Sequence, residues 1–225
     1  MKPAYAFHER MFRKVVSMNE MVIVGIDPGL ANTGWGVVRS CGSGLQPVAY
    51  GCITTHREDE LPTRLATIHD MLCGIIDRYQ PTALSAEGIY FGANAKSAML
   101  TAQARGAALV ACAYKGLEYG EYTPMQIKQA LVGTGTAEKE QVQYMVKAVL
   151  GLDHEPKPDH AADALAAAIT HARLRPTQQL EQRLASQAPN ARQLAGAPSA
   201  RQAQEKFNQR VQQALEREQA RGAAR

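Results

Sequence analysis
The chain has 225 residues, of which 45% are hydrophobic and 20% charged, so one sizeable core is possible and wholesale disorder is excluded. No apolar run approaches the roughly 18–20 residues of a membrane span, and the basic N-terminus lacks the apolar stretch of a secretion signal. The net charge of +4 is uneven: residues 172–225 carry +6 and residues 1–171 carry −2, an acidic globule with a basic tail suited either to nucleic-acid contact or to solubility.

Residues 1–20 show no clear periodicity and read as an N-terminal extension, with Met21 an alternative start. Residues 22–27 form a short β-branched run closed by Pro28-Gly29, which predicts a buried strand ending in a tight turn. Residues 34–39 and 47–55 predict two more strands around the turn-rich Cys41-Gly42-Ser43-Gly44, completing an antiparallel meander. The period then changes. Leu61, Leu65, Ile68, Leu72, Ile75 and Ile76 recur at helical spacing ahead of Pro81. Residues 83–86 predict a strand leading to Glu87. Residues 95–115 predict an Ala-rich helix in which Ala98, Ala102 and Gly106 permit close packing, and residues 117–123 a further strand. Pro124 opens a helix at its first turn, Val142, Met145, Val146 and Val149 mark the next, and a last helix runs from His160 to Arg173.

A meander followed by alternating helices and strands predicts an α/β fold, a mixed sheet with helices on its faces. Beyond Pro176 the composition turns to Gln, Ala and Arg with Phe207 the only aromatic, so residues 176–225 read as a basic tail, disordered or partly helical. Cys41, Cys52, Cys73 and Cys112 form no C-x-x-C pair, which fits free thiols in a reducing cytoplasm better than disulfides or a zinc site.

Three places put carboxylates at the ends of elements. Asp27 and Glu87 each close a strand, where a side chain leaves the core yet is held rigidly. His160 and Asp163, three apart at the start of a helix, share one face. Singly each has a plainer reading: Asp27 initiates a turn, Glu87 is a solvated acid, and Asp159 caps the helix. Jointly they point to chemistry. Ala161, Ala162, Ala164 and Ala166 let the last helix pack closely on whatever it faces, and crowded carboxylates repel unless cations neutralise them. Mg²⁺ prefers carboxylate oxygen and keeps open positions for phosphate, and two ions about 3.5–4 Å apart suit phosphodiester hydrolysis.

Val24-Gly25-Ile26-Asp27-Pro28-Gly29, followed by Thr33-Gly34-Trp35-Gly36-Val37, resembles the opening of the RuvC family of bacterial Holliday junction resolvases. Ala102-Gln103-Ala104-Arg105-Gly106, the stretches 126–133 and 137–142, and His160-Ala161-Ala162-Asp163-Ala164-Leu165-Ala166 through His171 extend the similarity in order over residues 21–171. The resemblance implies an RNase H-like mixed five-stranded sheet with helices on both faces, in a nuclease domain of residues 21–175. It also implies a homodimeric crossover junction endodeoxyribonuclease that nicks four-way DNA junctions symmetrically in recombination and repair. Carried over by position, the catalytic and metal-binding set is Asp27, Glu87, His160 and Asp163, with two Mg²⁺ or Mn²⁺ ions per site and cleavage to 5′-phosphate and 3′-hydroxyl ends.

The family usually has aspartate at the position of His160, and some members have histidine, so either His160 or the adjacent Asp159 faces the metals. An imidazole ligand suits transition metals, which predicts that Mn²⁺ supports activity at least as well as Mg²⁺. By the same resemblance Tyr90, or its neighbour Phe91, stacks on a junction base, and Lys128 and Lys139 contact DNA. Asn94, Lys96 and Arg105 are further candidates for phosphate contact, and a RuvA–RuvB branch-migration complex is the implied protein partner. Actin-like ATPases also place Asp and Gly after a first strand, but need a second glycine-rich phosphate loop in a longer chain, for which Gly133-Thr134-Gly135-Thr136 is a poor substitute.

Overall fold
The computed structural model describes residues 20–42, 44–88 and 95–187. The chain divides into two units, residues 1–176 and 177–225, and the described part of the second is helical.

In chain order the elements are β1 (Glu20–Asp27), β2 (Asn32–Cys41), β3 (Gly44–Thr54), α1 (Leu61–Tyr79), β4 (Ala83–Glu87), α2 (Ala95–Tyr114), β5 (Glu118–Tyr122), α3 (Pro124–Val132), α4 (Lys139–Leu150) and α5 (Asp159–Gln187). The five strands form one sheet in the order β3-β2-β1-β4-β5. The meander β1-β2-β3 is antiparallel, whereas β4 and β5 run parallel to β1, each entered through a helical crossover. This is the mixed five-stranded sheet that the residue pattern predicts. Pro47 is accommodated because β3 is an edge strand, and a register shift opposite Val37 and Val38 falls beside it.

Alternation along the strands sorts the core into two layers. Val22, Val24 and Ile26 of β1, with Leu84 and Ala86 of β4, pack on Ile68, Leu72 and Ile76 of α1 and on Ala104, Ala108 and Ala111 of α2. Ile23 and Val38 face the other way, onto Ile127 and Leu131 of α3, Val142 and Val146 of α4, and Leu165 and Ile169 of α5. Helices therefore cover both faces. Ile68 and Leu72 are fully buried, each worth about 1.5–3 kcal/mol relative to exposure.

The second layer is unusually thin at α5. A Cβ on Gly25 would lie 1.9 Å from the Ala164 carbonyl oxygen, and one on Gly34 would lie 1.9 Å from that of His160. Only glycine lets the helix backbone rest there. From the helix side the match is a run of small residues, Ala161 to Ala168, all but Asp163 and Leu165 being alanine.

Local signals set the ends of several helices. Thr123 and Gln126 make a reciprocal capping box at α3, with Pro124 in the first turn, and Gly133 closes that helix in the left-handed conformation. Glu138 and Gln141 do the same for α4. Differences from the sequence pattern are confined mostly to element ends, with one larger exception. The last helix runs to Gln187 instead of stopping at Arg173, passing through Pro176. The proline removes one backbone donor, but the residues beyond Thr177 are mostly Gln, Leu, Glu, Arg and Ala, good helix formers that let the helix continue.

Candidate active site
Strand parity decides where the acids point. Ile23, Gly25 and Asp27 lie on the α5 side of β1, and Ala83, Ser85 and Glu87 lie on the same side of β4. The parallel register pairs Ile26 with Ala86, so Asp27 and Glu87 follow side by side at the ends of two adjacent strands. The Ser85 hydroxyl donates to the Ala167 carbonyl at 2.8 Å and fixes α5 over this part of the sheet. The first turn of α5 then brings His160 and Asp163 over the same strand ends.

His160 Nδ1 lies 2.7 Å from Asp27 Oδ2, the imidazole N–H donating to the carboxylate. Asp159 turns elsewhere, to Lys139 at 3.4 Å and Lys157 at 3.5 Å. Of the two neighbours left open by the sequence, His160 is therefore the one that meets Asp27. Lys139 Nζ is also 3.4 Å from Asp163 Oδ2, so this lysine spans two acids of α5.

The acids act on one another electrostatically. Glu87 is raised to about 7, first by burial and then by the negative charges of Asp27 and Asp163, with Lys128 opposing. Asp163 is also raised, by burial and then by Asp27, against the pull of Lys139 and His160. Glu87, Asp163, Lys128 and Lys139 line a cavity of about 200 Å³ floored by Ile127, Val142 and Ala166. Among the described residues no three His, Cys, Asp or Glu side chains close around a single point as a finished metal cage. Asp27 is occupied by His160 and Asp163 by Lys139. The chemistry of the donors still fits a hard divalent cation: three carboxylates, two of them raised by burial and then by their neighbours' charge, with an imidazole alongside.

The remaining expectations divide. Lys128 and Lys139 stand in the cavity with the acids. Arg105 does not line it; its guanidinium pairs with Glu121 at 2.6 Å and also holds the Tyr119 hydroxyl. Tyr90, Phe91 and Asn94 lie outside the described residues, as does the side chain of Lys96. Two residues escaped sequence reasoning, Arg57 and Arg64, which line a second hollow with His160. Arg57 is followed by Glu58, Asp59 and Glu60, so its local charge pattern hides it.

Among the described residues no helix is long and apolar enough to cross a membrane. The family model for crossover junction endodeoxyribonuclease RuvC matches residues 23–171. The RuvC of Desulforamulus reducens is 47% identical over 152 residues, covering 68% of this chain and 93% of that protein. The RuvC of Moorella thermoacetica is 45% identical over 165 residues, covering 73% and 99%. The Thermus thermophilus RuvC structure superposes with a TM-score of 0.67 at 37% identity, covering 70% of this chain and 97% of that one. The same protein in complex with Holliday junction substrate gives 0.68 at 38%, covering 70% and 96%. A yeast mitochondrial Holliday junction resolvase, at 12% identity and a TM-score of 0.51, shares the fold. With its RNase H-like sheet and a family match over most of its length, the chain belongs to the RuvC family of crossover junction endodeoxyribonucleases.

Proposed function
We propose that the chain resolves four-way DNA junctions by paired symmetric nicks, using Asp27, Glu87, His160 and Asp163 to hold two Mg²⁺ or Mn²⁺ ions. The observation that carries this is Glu87, a half-buried acid raised to about 7 by burial and by the nearby charges of Asp27 and Asp163, in a cavity that it shares with Asp163, Lys128 and Lys139. Acids crowded in this way cost stability unless a cation or a function requires them. When bound, divalent ions supply Lewis-acid stabilisation of the phosphoryl group and a hydrolytic water at neutral pH.

The protein's own groups do the rest. Lys128 and Lys139 offset the negative field of the acids where a phosphate must approach, which the carboxylates alone would repel. His160 gives Nδ1 to Asp27 and keeps Nε2 for a metal or a proton. The Asp27 contact orients the ring. Hydrolysis in this arrangement leaves 5′-phosphate and 3′-hydroxyl ends.

Paired nicks need two sites, and α2 offers the face on which two copies would meet. Met99, Val110 and Tyr114 are 61%, 48% and 82% exposed, and Gly106 lies on the same stripe. A second copy of the chain is the occupant that a symmetric substrate requires. A RuvA–RuvB complex as partner rests on family membership. The test is a synthetic immobile four-way junction incubated with the protein and Mn²⁺ or Mg²⁺. The expected products are two nicks in opposed strands; intact junction with both ions rejects the reading.

A further inference from the structure
The cavity holding Glu87, Lys128 and Lys139 lies on the β4–β5 side of Asp27. A second hollow of about 540 Å³ opens on the β2–β3 side, where residues 29–32 connect β1 to β2 and residues 57–64 follow β3. Its walls include Gly29, Asn32, Arg57, Arg64 and Thr101, and it reaches the catalytic cluster at His160.

Arg64 is held firmly in this wall. Its Nε donates to Thr55 Oγ1 at 2.8 Å, and the Thr55 hydroxyl donates to the Leu30 carbonyl at 2.5 Å. The Thr55 N–H is tied to the Ala31 carbonyl at 3.0 Å, so the buried threonine is fixed from two directions. Among the described residues the two terminal nitrogens of its guanidinium fork have no hydrogen-bond partner. Neither Arg64 nor Arg57 pairs with a carboxylate among the described residues, although Glu58, Asp59 and Glu60 lie between them in the chain. A guanidinium anchored at Nε with its two terminal nitrogens open is prepared for the oxygens of a phosphate, which it takes in bidentate fashion. A role confined to bracing the β3–α1 connection accounts for the Nε bond alone and leaves both terminal nitrogens, and Arg57, without a partner among the described residues.

We propose that this hollow is a phosphate-binding pocket for the DNA strand on the far side of the scissile bond, with Arg64 as its anchor and Arg57 as its second cation. The inference rests on the junction-cutting reading above and extends it. The cleaved strand is held on both sides of the acids, by Lys128 and Lys139 toward β5 and by Arg64 and Arg57 toward β3. Arg64 is a positioning residue in this scheme: it sets where the strand lies relative to Asp27 and takes no part in bond breaking.

The experiment measures binding of a fluorescent four-way junction by anisotropy, with a chelator present so that nothing is cut, across a salt series. Loss of one phosphate contact lowers the slope of log affinity against log salt by about 0.9. Arg64→Gln is expected to show that drop and bind about five-fold more weakly at 0.1 M salt. Arg57→Gln is expected to lower the slope in the same sense. Thr55→Val, which frees the fork without removing its charge, is expected to leave the slope unchanged and still weaken binding. If Arg64→Gln lowers the melting temperature, Arg57→Gln decides, since that side chain is exposed and outside the core. Wild-type affinity and slope in both arginine variants overturn the pocket. A parallel cleavage arm with Mn²⁺ separates the two readings: a wild-type chain that cuts the junction while both variants bind normally loses only the pocket, and one that never cuts loses the function itself.

Discussion
His160 and Asp27 are separated by 133 positions in the chain, yet the imidazole Nδ1 and the carboxylate Oδ2 are 2.7 Å apart. The contact exists because Gly25 and Gly34 let α5 lie on the sheet backbone, and because strand parity turns Asp27 toward it. It ties the acid of β1 to a group that binds transition metals well.

That pairing predicts the metal preference. Wild-type protein should cut a junction with Mn²⁺ at least as fast as with Mg²⁺, and His160→Asp should move the ratio toward Mg²⁺ by replacing nitrogen with oxygen. Metal titrations of the cleavage rate for both proteins check this. A wild-type preference for Mg²⁺ would count against an imidazole ligand.

Glu87 makes a second prediction, about stability. Its folded value of about 7 lies above the ordinary 4.5, so the folded state holds the proton more tightly than the unfolded chain does. Its contribution is therefore intact below pH 4.5 and is lost as pH rises toward 7. In metal-free protein at pH 8, Glu87→Gln should gain about 1–2 kcal/mol, solvent screening having reduced the full effect. With saturating Mn²⁺ the gain should vanish or reverse, because the wild-type acid then has a cation. Urea denaturation at both conditions measures the difference.

The thin layer beneath α5 predicts a cost for a single methyl group. Gly34→Ala would press a Cβ onto the His160 carbonyl, a backbone atom that cannot swing aside. We expect a loss of about 2–4 kcal/mol in stability and, where the protein still folds, a larger fall in cleavage than in junction binding. Gly74→Ala in α1, whose Cβ would meet nothing within 4 Å, is the control and should not destabilise.

Much of this site is legible in the residues alone, and for a physical reason. Asp27 and Glu87 close short buried strands, a local feature, and His160 and Asp163 sit three apart on a helix of alanines. What escaped needs contacts between distant elements. Arg105 pairs with Glu121 of β5, Lys139 is drawn to Asp159 and Asp163, and Arg64 is aimed by Thr55 through a carbonyl of the β1–β2 turn. Pro176 reads as a helix stop, yet α5 continues past it because the flanking propensity prevails.

Away from the site, His171 predicts acid sensitivity. It is fully enclosed, its Nδ1 lies 3.0 Å from the Tyr122 hydroxyl, and its Nε2 has no partner among the described residues. Burial pushes it down to about 4, and burial likewise pushes the Tyr122 hydroxyl up to about 12. A histidine held below its unfolded value of 6.5 favours folding while neutral, so stability should fall by about 2–3 kcal/mol between pH 6.5 and 4. His171→Gln, which cannot charge, should flatten that part of the pH profile measured by urea denaturation.

The convergence of Asp27 with Glu87 and Asp163 on one cation site is tested most directly by Asp27→Asn on an immobile four-way junction with Mn²⁺. The side chain keeps its size and loses its charge, so the fold and the junction affinity should persist, with binding the same or tighter as repulsion of phosphate falls. The account predicts a drop in nicking of at least about a hundredfold. Cleavage at the wild-type rate would contradict it.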